Sequence, residues 1–197
     1  MSNPKINIAI FASGGGTNAQ AILEYFAENT EVEIKCIYSN NTEAYALTRG
    51  KNFGTDTFTF SRNEFYKTSL VHEHLESHKI DLIVLAGFMW LVPQPLVDTF
   101  TILNIHPALL PNYGGKGMYG NFVHQAVIKR GEKESGITIH YVNNEYDKGS
   151  IILQASCPVL PNDTPDTLAK KIHKLEHTHY PETISHIVKK LLSQELS

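Results

Sequence analysis

What most constrains this chain is a recurrence of strand-like runs, at Lys5 to Ala12, Glu31 to Tyr38, Thr55 to Phe60, Ile80 to Ala86 and Thr101 to Ile105, with helix-like segments between most of them. Strand and helix in alternation predict a parallel sheet covered by helices on both faces. Gly14, Gly15 and Gly16 separate the first strand from a helix expected over Thr17 to Glu28. A further helix is expected over Arg62 to His78, where Phe65, Leu70, Val71 and Leu75 keep helical spacing and Ser61 can cap the start. After His106 the pattern changes. A glycine-rich loop spans Pro111 to Asn121, a helix Phe122 to Lys129, and two strands Gly136 to Val142 and Ser150 to Val159. The last helical region, Thr164 to Leu192, is expected to be interrupted near Tyr180-Pro181, because proline cannot extend the hydrogen-bond ladder. The fold class is therefore α/β, a Rossmann-like, mostly parallel twisted sheet flanked by helices with a C-terminal strand pair and helices. At 197 residues, with no repeat or linker, 1–197 reads as a single domain.

Composition narrows the function classes. Hydrophobic residues at 42% and charged residues at 19% are ordinary for a globular chain, which excludes disordered and collagen-like classes. Seventeen basic against twenty acidic side chains leave a net charge of −3, so no general field attracts nucleic acid. The longest apolar stretch, Ile80 to Val92, is broken by Asp81 and Gly87 and is too short to span a bilayer, so no membrane partner is expected. Met1 to Ile10 lead straight into a strand pattern without a leader-like segment, which points to the cytoplasm. Cys36 and Cys157 lie in apolar strand-like runs and read as small inert hydrophobes. His74 and His78, with His72 nearby, and His173 and His177 beside Glu176 repeat a one-turn spacing. Neither group offers a third ligand at a recognisable spacing, so they read as solvated helix faces and no metal is expected.

Chemistry enters at Thr101 to Pro111, where Asn104 and His106 interrupt an apolar run at alternate positions. Side chains two apart on a strand face the same way. An amide N–H can hold a developing oxyanion while an imidazole moves a proton, which suits acyl transfer. The competing reading is a strand end whose polar groups satisfy local backbone. The Gly14-Gly15-Gly16-Thr17-Asn18 loop follows a strand and opens a helix, so its N–H groups and the helix dipole suit a monophosphate; a purely structural turn is the alternative. A dinucleotide is disfavoured, because Ser39-Asn40-Asn41 stands where an acidic ribose ligand belongs. Asp147, read as a turn residue or as a partner for His106, would fix the imidazole's tautomer and favour its protonated form.

These features resemble the folate-dependent formyltransferase family. The resemblance runs almost end to end, through Ser13 to Asn18, Leu85-Ala86-Gly87-Phe88-Met89, Leu103 to Pro107, Asp147-Lys148-Gly149 and Leu175-Glu176-His177. It implies the formyltransferase fold and transfer of a formyl group from 10-formyltetrahydrofolate, as co-substrate, to the amine of glycinamide ribonucleotide in purine biosynthesis. It implies that Asn104 and protonated His106 stabilise the oxyanion and that Asp147 orients His106 and shuttles protons through water. Gly16, Thr17 and Asn18 would hold the substrate phosphate, and Glu176 its ribose hydroxyls. The folate would meet Met89, Trp90 and Val92, the segment Asn143, Asn144 and Glu145, and Arg62 at its glutamate tail, with His140 supporting the catalytic side chains. The chemistry implied needs no metal, and the partners are small molecules, with the chain a monomer or homodimer. Three departures stand out: Trp90 replaces an arginine of many relatives, Thr101 replaces a tail-binding arginine of some, and the loop from Tyr113 to Asn121 is a few residues longer. The alternative is a formyltetrahydrofolate deformylase, a hydrolase that shares the catalytic set but usually carries an added N-terminal domain, which is not expected here with a first strand beginning at about Lys5.

Overall fold

The computed structural model describes residues 5–195. Its strands are β1 (Ile6–Phe11), β2 (Val32–Ser39), β3 (Asp56–Thr59), β4 (Leu82–Leu85), β5 (Thr101–His106), β6 (Glu134–Tyr141) and β7 (Ile151–Pro158), which form one sheet in the order β3-β2-β1-β4-β5-β6-β7. The first five run parallel, and β6 and β7 add antiparallel to that edge. The chain leaves β1 toward β2 and β3, then returns to lay β4 on the other side of β1. That reversal opens a crevice beyond the carboxyl ends of β1 and β4, the place where such sheets bind ligands.

Period-two alternation sorts the strands onto two cores. Ile6, Ile8 and Ile10 of β1 and Leu82 and Val84 of β4 face one side, while Ala9, Phe11, Ile83 and Leu85 face the other. The first side is covered by α1 (Thr17–Phe26), α2 (Tyr45–Asn52), α6 (Asn121–Arg130) and α7 (Pro165–Glu195), which contribute Ile22, Leu47, Val127 and Ile184. The second is covered by α3 (Arg62–Lys67), α4 (Leu70–Ser77) and α5 (Gln94–Thr99) through Phe65, Leu75 and Leu96. Among the described residues no helix is long and apolar enough to cross a membrane.

Two expectations are corrected. The helix expected over Arg62 to His78 is two helices, broken at Thr68, whose backbone is extended at φ −129 and ψ 169. Ser61 does cap the first of them, in a box with Glu64. Thr68 Oγ1 donates to the Glu64 carbonyl at 3.0 Å and accepts from the Leu70 N–H at 3.3 Å, so local side-chain bonds replace the helical ladder. The interruption expected near Tyr180-Pro181 does not occur, and α7 runs through Pro181. A proline inside a helix costs about 3 kcal/mol. Here Tyr180 is fully buried and its hydroxyl reaches the carbonyls of Leu85 at 2.9 Å and Leu103 at 3.2 Å, while Ile184, Ile187 and Val188 bury the next turns. Tertiary packing on both sides of the proline offsets the lost bond.

Candidate active site

The crevice is a cavity of about 780 Å³, walled by the loop after β1, the segment after β4 and the end of β5. The first two walls are tied together: the Ser13 N–H donates to the Gly87 carbonyl at 3.0 Å, and the Met89 N–H donates to Ser13 Oγ at 3.0 Å. Gly16, Thr17 and Asn18 line the cavity where α1 begins. Gly16 takes a left-handed conformation, φ 70, and a Cβ there would lie 2.6 Å from the Ala46 Cβ. The position thus excludes a side chain from behind, through α2, as well as by its torsion.

On β5, Asn104 and His106 face the cavity two residues apart, and β6 sets His140 opposite Asn104. His140 Nδ1–H donates to the Tyr141 carbonyl at 2.8 Å, which leaves Nε2 to meet the Asn104 amide nitrogen at 3.1 Å. His106 Nε2–H donates to the Tyr113 carbonyl at 2.7 Å and turns Nδ1 toward Asp147 Oδ1 at 3.6 Å. The same carboxylate oxygen lies 3.5 Å from Asn104 Nδ2 and 3.7 Å from His140 Nε2, and its other oxygen accepts from the Gly115 N–H at 2.8 Å. Asp147 reaches this position because Gly149 lets the chain fold against β6: a Cβ on Gly149 would overlap the Tyr141 carbonyl oxygen at 1.6 Å.

Burial and charge oppose each other here. Burial pushes the Asp147 carboxyl up, but His140, His106 and the Gly115 N–H together hold it below the usual range. For His106 the balance reverses: burial pushes it down further than Asp147 and the Tyr113 carbonyl push it up, with His140 adding to the depression. Asp147 thus favours the protonated form of His106, as expected, while desolvation of a ring only 4% exposed works against it.

Glu176 lines the cavity from α7, one turn before Tyr180, and burial raises its carboxyl to about 7 while a neighbouring Asn18 amide pulls it back. Arg62, Met89, Trp90, Val92 and Glu145 also line the cavity. The Arg62 guanidinium stacks over the rings of Tyr66 at 5.1 Å and Trp90 at 5.5 Å. Asn143 and Asn144 are not brought to the cavity wall; Asn143 Oδ1 instead accepts from the Glu145 N–H at 3.0 Å and shapes the turn. His124, absent from the sequence reading, lines the cavity with its Nδ1 buried and unpartnered, and burial with His173 and His106 lowers it to about 4. Its signal was a histidine next to Val123 on an otherwise apolar helix face. Among the described residues no three His, Cys, Asp or Glu side chains are grouped to hold a metal ion.

Residues 6–184 match the formyl transferase family. The chain belongs to it. Over 188 residues it is 37% identical to the chloroplastic phosphoribosylglycinamide formyltransferase of Arabidopsis thaliana, covering 91% of the chain and 64% of that relative. It is 35% identical to the phosphoribosylglycinamide formyltransferase of Escherichia coli, covering 91% of the chain and 86% of that protein. The chain thus spans less than two thirds of the length of the plant relatives it matches, at 64% and 59%. The solved glycinamide ribonucleotide transformylase 1 of Symbiobacterium toebii superposes with a TM-score of 0.86 at 35% identity, over 94% of this chain and 89% of that one. The mixed seven-stranded sheet with flanking helices is thus shared with that relative's fold.

Proposed function

We propose that this formyl transferase family member moves the formyl group of 10-formyltetrahydrofolate to the amine of glycinamide ribonucleotide. The observation that carries the reading is the convergence of Asn104, His106 and Asp147 in a cavity that the Gly14 to Asn18 loop also lines. The family match supports formyl transfer, and the relatives' names support phosphoribosylglycinamide as the acceptor.

In this reading the loop N–H groups hold the phosphate, Glu176 meets the ribose hydroxyls, and Met89, Trp90 and Val92 face the pterin. The amine nitrogen attacks the formyl carbon. A carbon–nitrogen bond forms, and the carbonyl electrons move to an oxyanion that Asn104 Nδ2–H and His106 stabilise. The ammonium proton passes by way of water beside Asp147, the folate nitrogen is protonated, and the bond from the formyl carbon to that nitrogen breaks. No covalent formyl-enzyme is invoked. Neither cysteine lines the cavity, and burial raises the Cys36 thiol to about 12, far from a nucleophilic thiolate. The test is loss of 10-formyltetrahydrofolate with and without glycinamide ribonucleotide. Turnover only with the amine is expected; equal turnover without it, with release of formate, makes the protein a hydrolase.

A further inference from the structure

The phosphate loop is gripped from the side away from the cavity. Three successive carbonyls are engaged there: Ser13 accepts from Asn41 Nδ2 at 3.3 Å, Gly14 from the Ala46 N–H at 3.1 Å, and Gly15 from Arg49 Nε at 2.8 Å. None of these three donors lines the cavity. In a trans peptide the N–H points opposite the carbonyl of the same unit, so these contacts turn the N–H groups of Gly14, Gly15 and Gly16 away from α2. The N–H groups of Gly16, Thr17 and Asn18, where α1 begins, have no acceptor among the described residues. Successive N–H groups facing one way make an anion-binding concavity.

Arg49 is the charged member of this grip. Its Nη1 donates to Gln20 Oε1 on α1 at 3.1 Å, and its guanidinium lies 4.9 Å from the Tyr45 ring centroid. One side chain thereby joins α2, the loop and the first turns of α1. No carboxylate forms a direct ion pair with Arg49 among the described residues; the nearest link to one runs through Gln20, whose Nε2 donates to Glu24 Oε1. A guanidinium suits this place better than an ammonium, because its planar donors point in fixed, divergent directions.

We propose that Arg49 is a positioning residue for the substrate phosphate: it fixes the Gly15–Gly16 peptide so that the Gly16 N–H faces away from α2 and toward the cavity, and it lends its charge to the loop. The inference rests on the reading of this loop as a phosphate site. It acts through the loop and not on the reacting atoms, so it contributes equally to ground and transition states and belongs in KM rather than kcat.

The experiment compares wild type with Arg49→Gln and Arg49→Lys, each first checked by thermal unfolding. It measures KM for glycinamide ribonucleotide, the Ki of inorganic phosphate against it, KM for the folate, and kcat. For Arg49→Gln we expect KM for the ribonucleotide and Ki for phosphate to rise together by about tenfold, the scale of one charge-assisted hydrogen bond. Arg49→Lys keeps the charge but loses the Nε–H, and should rise by about threefold, with an advantage over Gln that shrinks as salt is added. The folate KM and kcat should stay within about twofold. Unchanged Ki and KM in Arg49→Gln overturn the proposal, as does a parallel loss in kcat and folate KM, which marks general damage. If wild type itself shows no competition by phosphate, the phosphate reading of the loop fails and the role of Arg49 fails with it.

Discussion

Replacing Glu176 with Gln isolates the energetic cost of placing a carboxyl on the floor of this cavity. Glu176 is 6% exposed, and burial raises its pKa to about 7 from an ordinary value of 4.5, with Asn18 opposing. Because the folded pKa lies above the unfolded one, the native chain holds the proton more tightly between pH 4.5 and 7. Stability from this group is fully present below pH 4.5 and is lost as pH rises through 7. At about 1.4 kcal/mol per pH unit, the loss is about 3 kcal/mol once the carboxylate is fully charged. Gln keeps the size and a hydrogen-bonding head but does not titrate. Glu176→Gln should therefore gain about 3 kcal/mol on wild type between pH 4.5 and pH 8, whatever its offset at the acid end. Urea unfolding of both proteins at the two pH values gives the difference, in which every other titrating group cancels. A stability difference that stays constant with pH refutes the argument, since it would mean the wild-type carboxyl titrates alike folded and unfolded.

Three further substitutions probe the opposite wall and the loop. Asn104→Ala removes the donor that the proposed reaction turns on the oxyanion, so turnover should fall by about 10² to 10³ with little change in ligand dissociation constants; near-wild-type kcat sinks the assignment. In Asp147→Asn the carboxylate no longer raises His106, so the pH-rate limb set by that imidazole should move to lower pH as the rate falls; an unshifted profile reduces Asp147 to a turn residue. Gly16→Ala sets a Cβ 2.6 Å from Ala46 at a left-handed torsion, which should cost about 1 to 3 kcal/mol in denaturant unfolding and weaken glycinamide ribonucleotide more than folate in calorimetry. Equal weakening of both ligands counts against a phosphate role for the loop.

What could be read from sequence was whatever depends on neighbours in the chain. Asn104 and His106 are two apart on a strand, so their shared direction follows from the pleat alone, and the loop from Gly14 to Asn18 announces itself between a strand and a helix. Residues joined only by the fold were not legible in that way. Arg49 reaches Gly15 because the β1–α1–β2–α2 crossover returns α2 behind the loop. His140 meets Asn104 through the antiparallel register of β5 and β6, which no local pattern specifies. The two errors in helix placement have opposite causes. At Thr68 a local side-chain bond defeated an acceptable apolar period, and at Pro181 burial of Tyr180 and Ile184 defeated a local breaker.

His106 shows how folding and the proposed chemistry meet. Its two ring nitrogens face a carbonyl from Tyr113 and a carboxylate from Asp147, and both of those residues hold the left-handed conformation at φ 57 without being glycine. Each such torsion costs about 1 to 2 kcal/mol, so the packing that imposes it stores strain at this spot. Two acceptors can be satisfied together only by a ring carrying two N–H groups, yet burial makes the charged ring expensive. Burial thus works against the charged ring, while Asp147, facing its second proton site, works for it. In the proposed reaction an oxyanion developing beside the ring adds negative charge that favours the protonated imidazole, in the same direction as Asp147 and against the effect of burial.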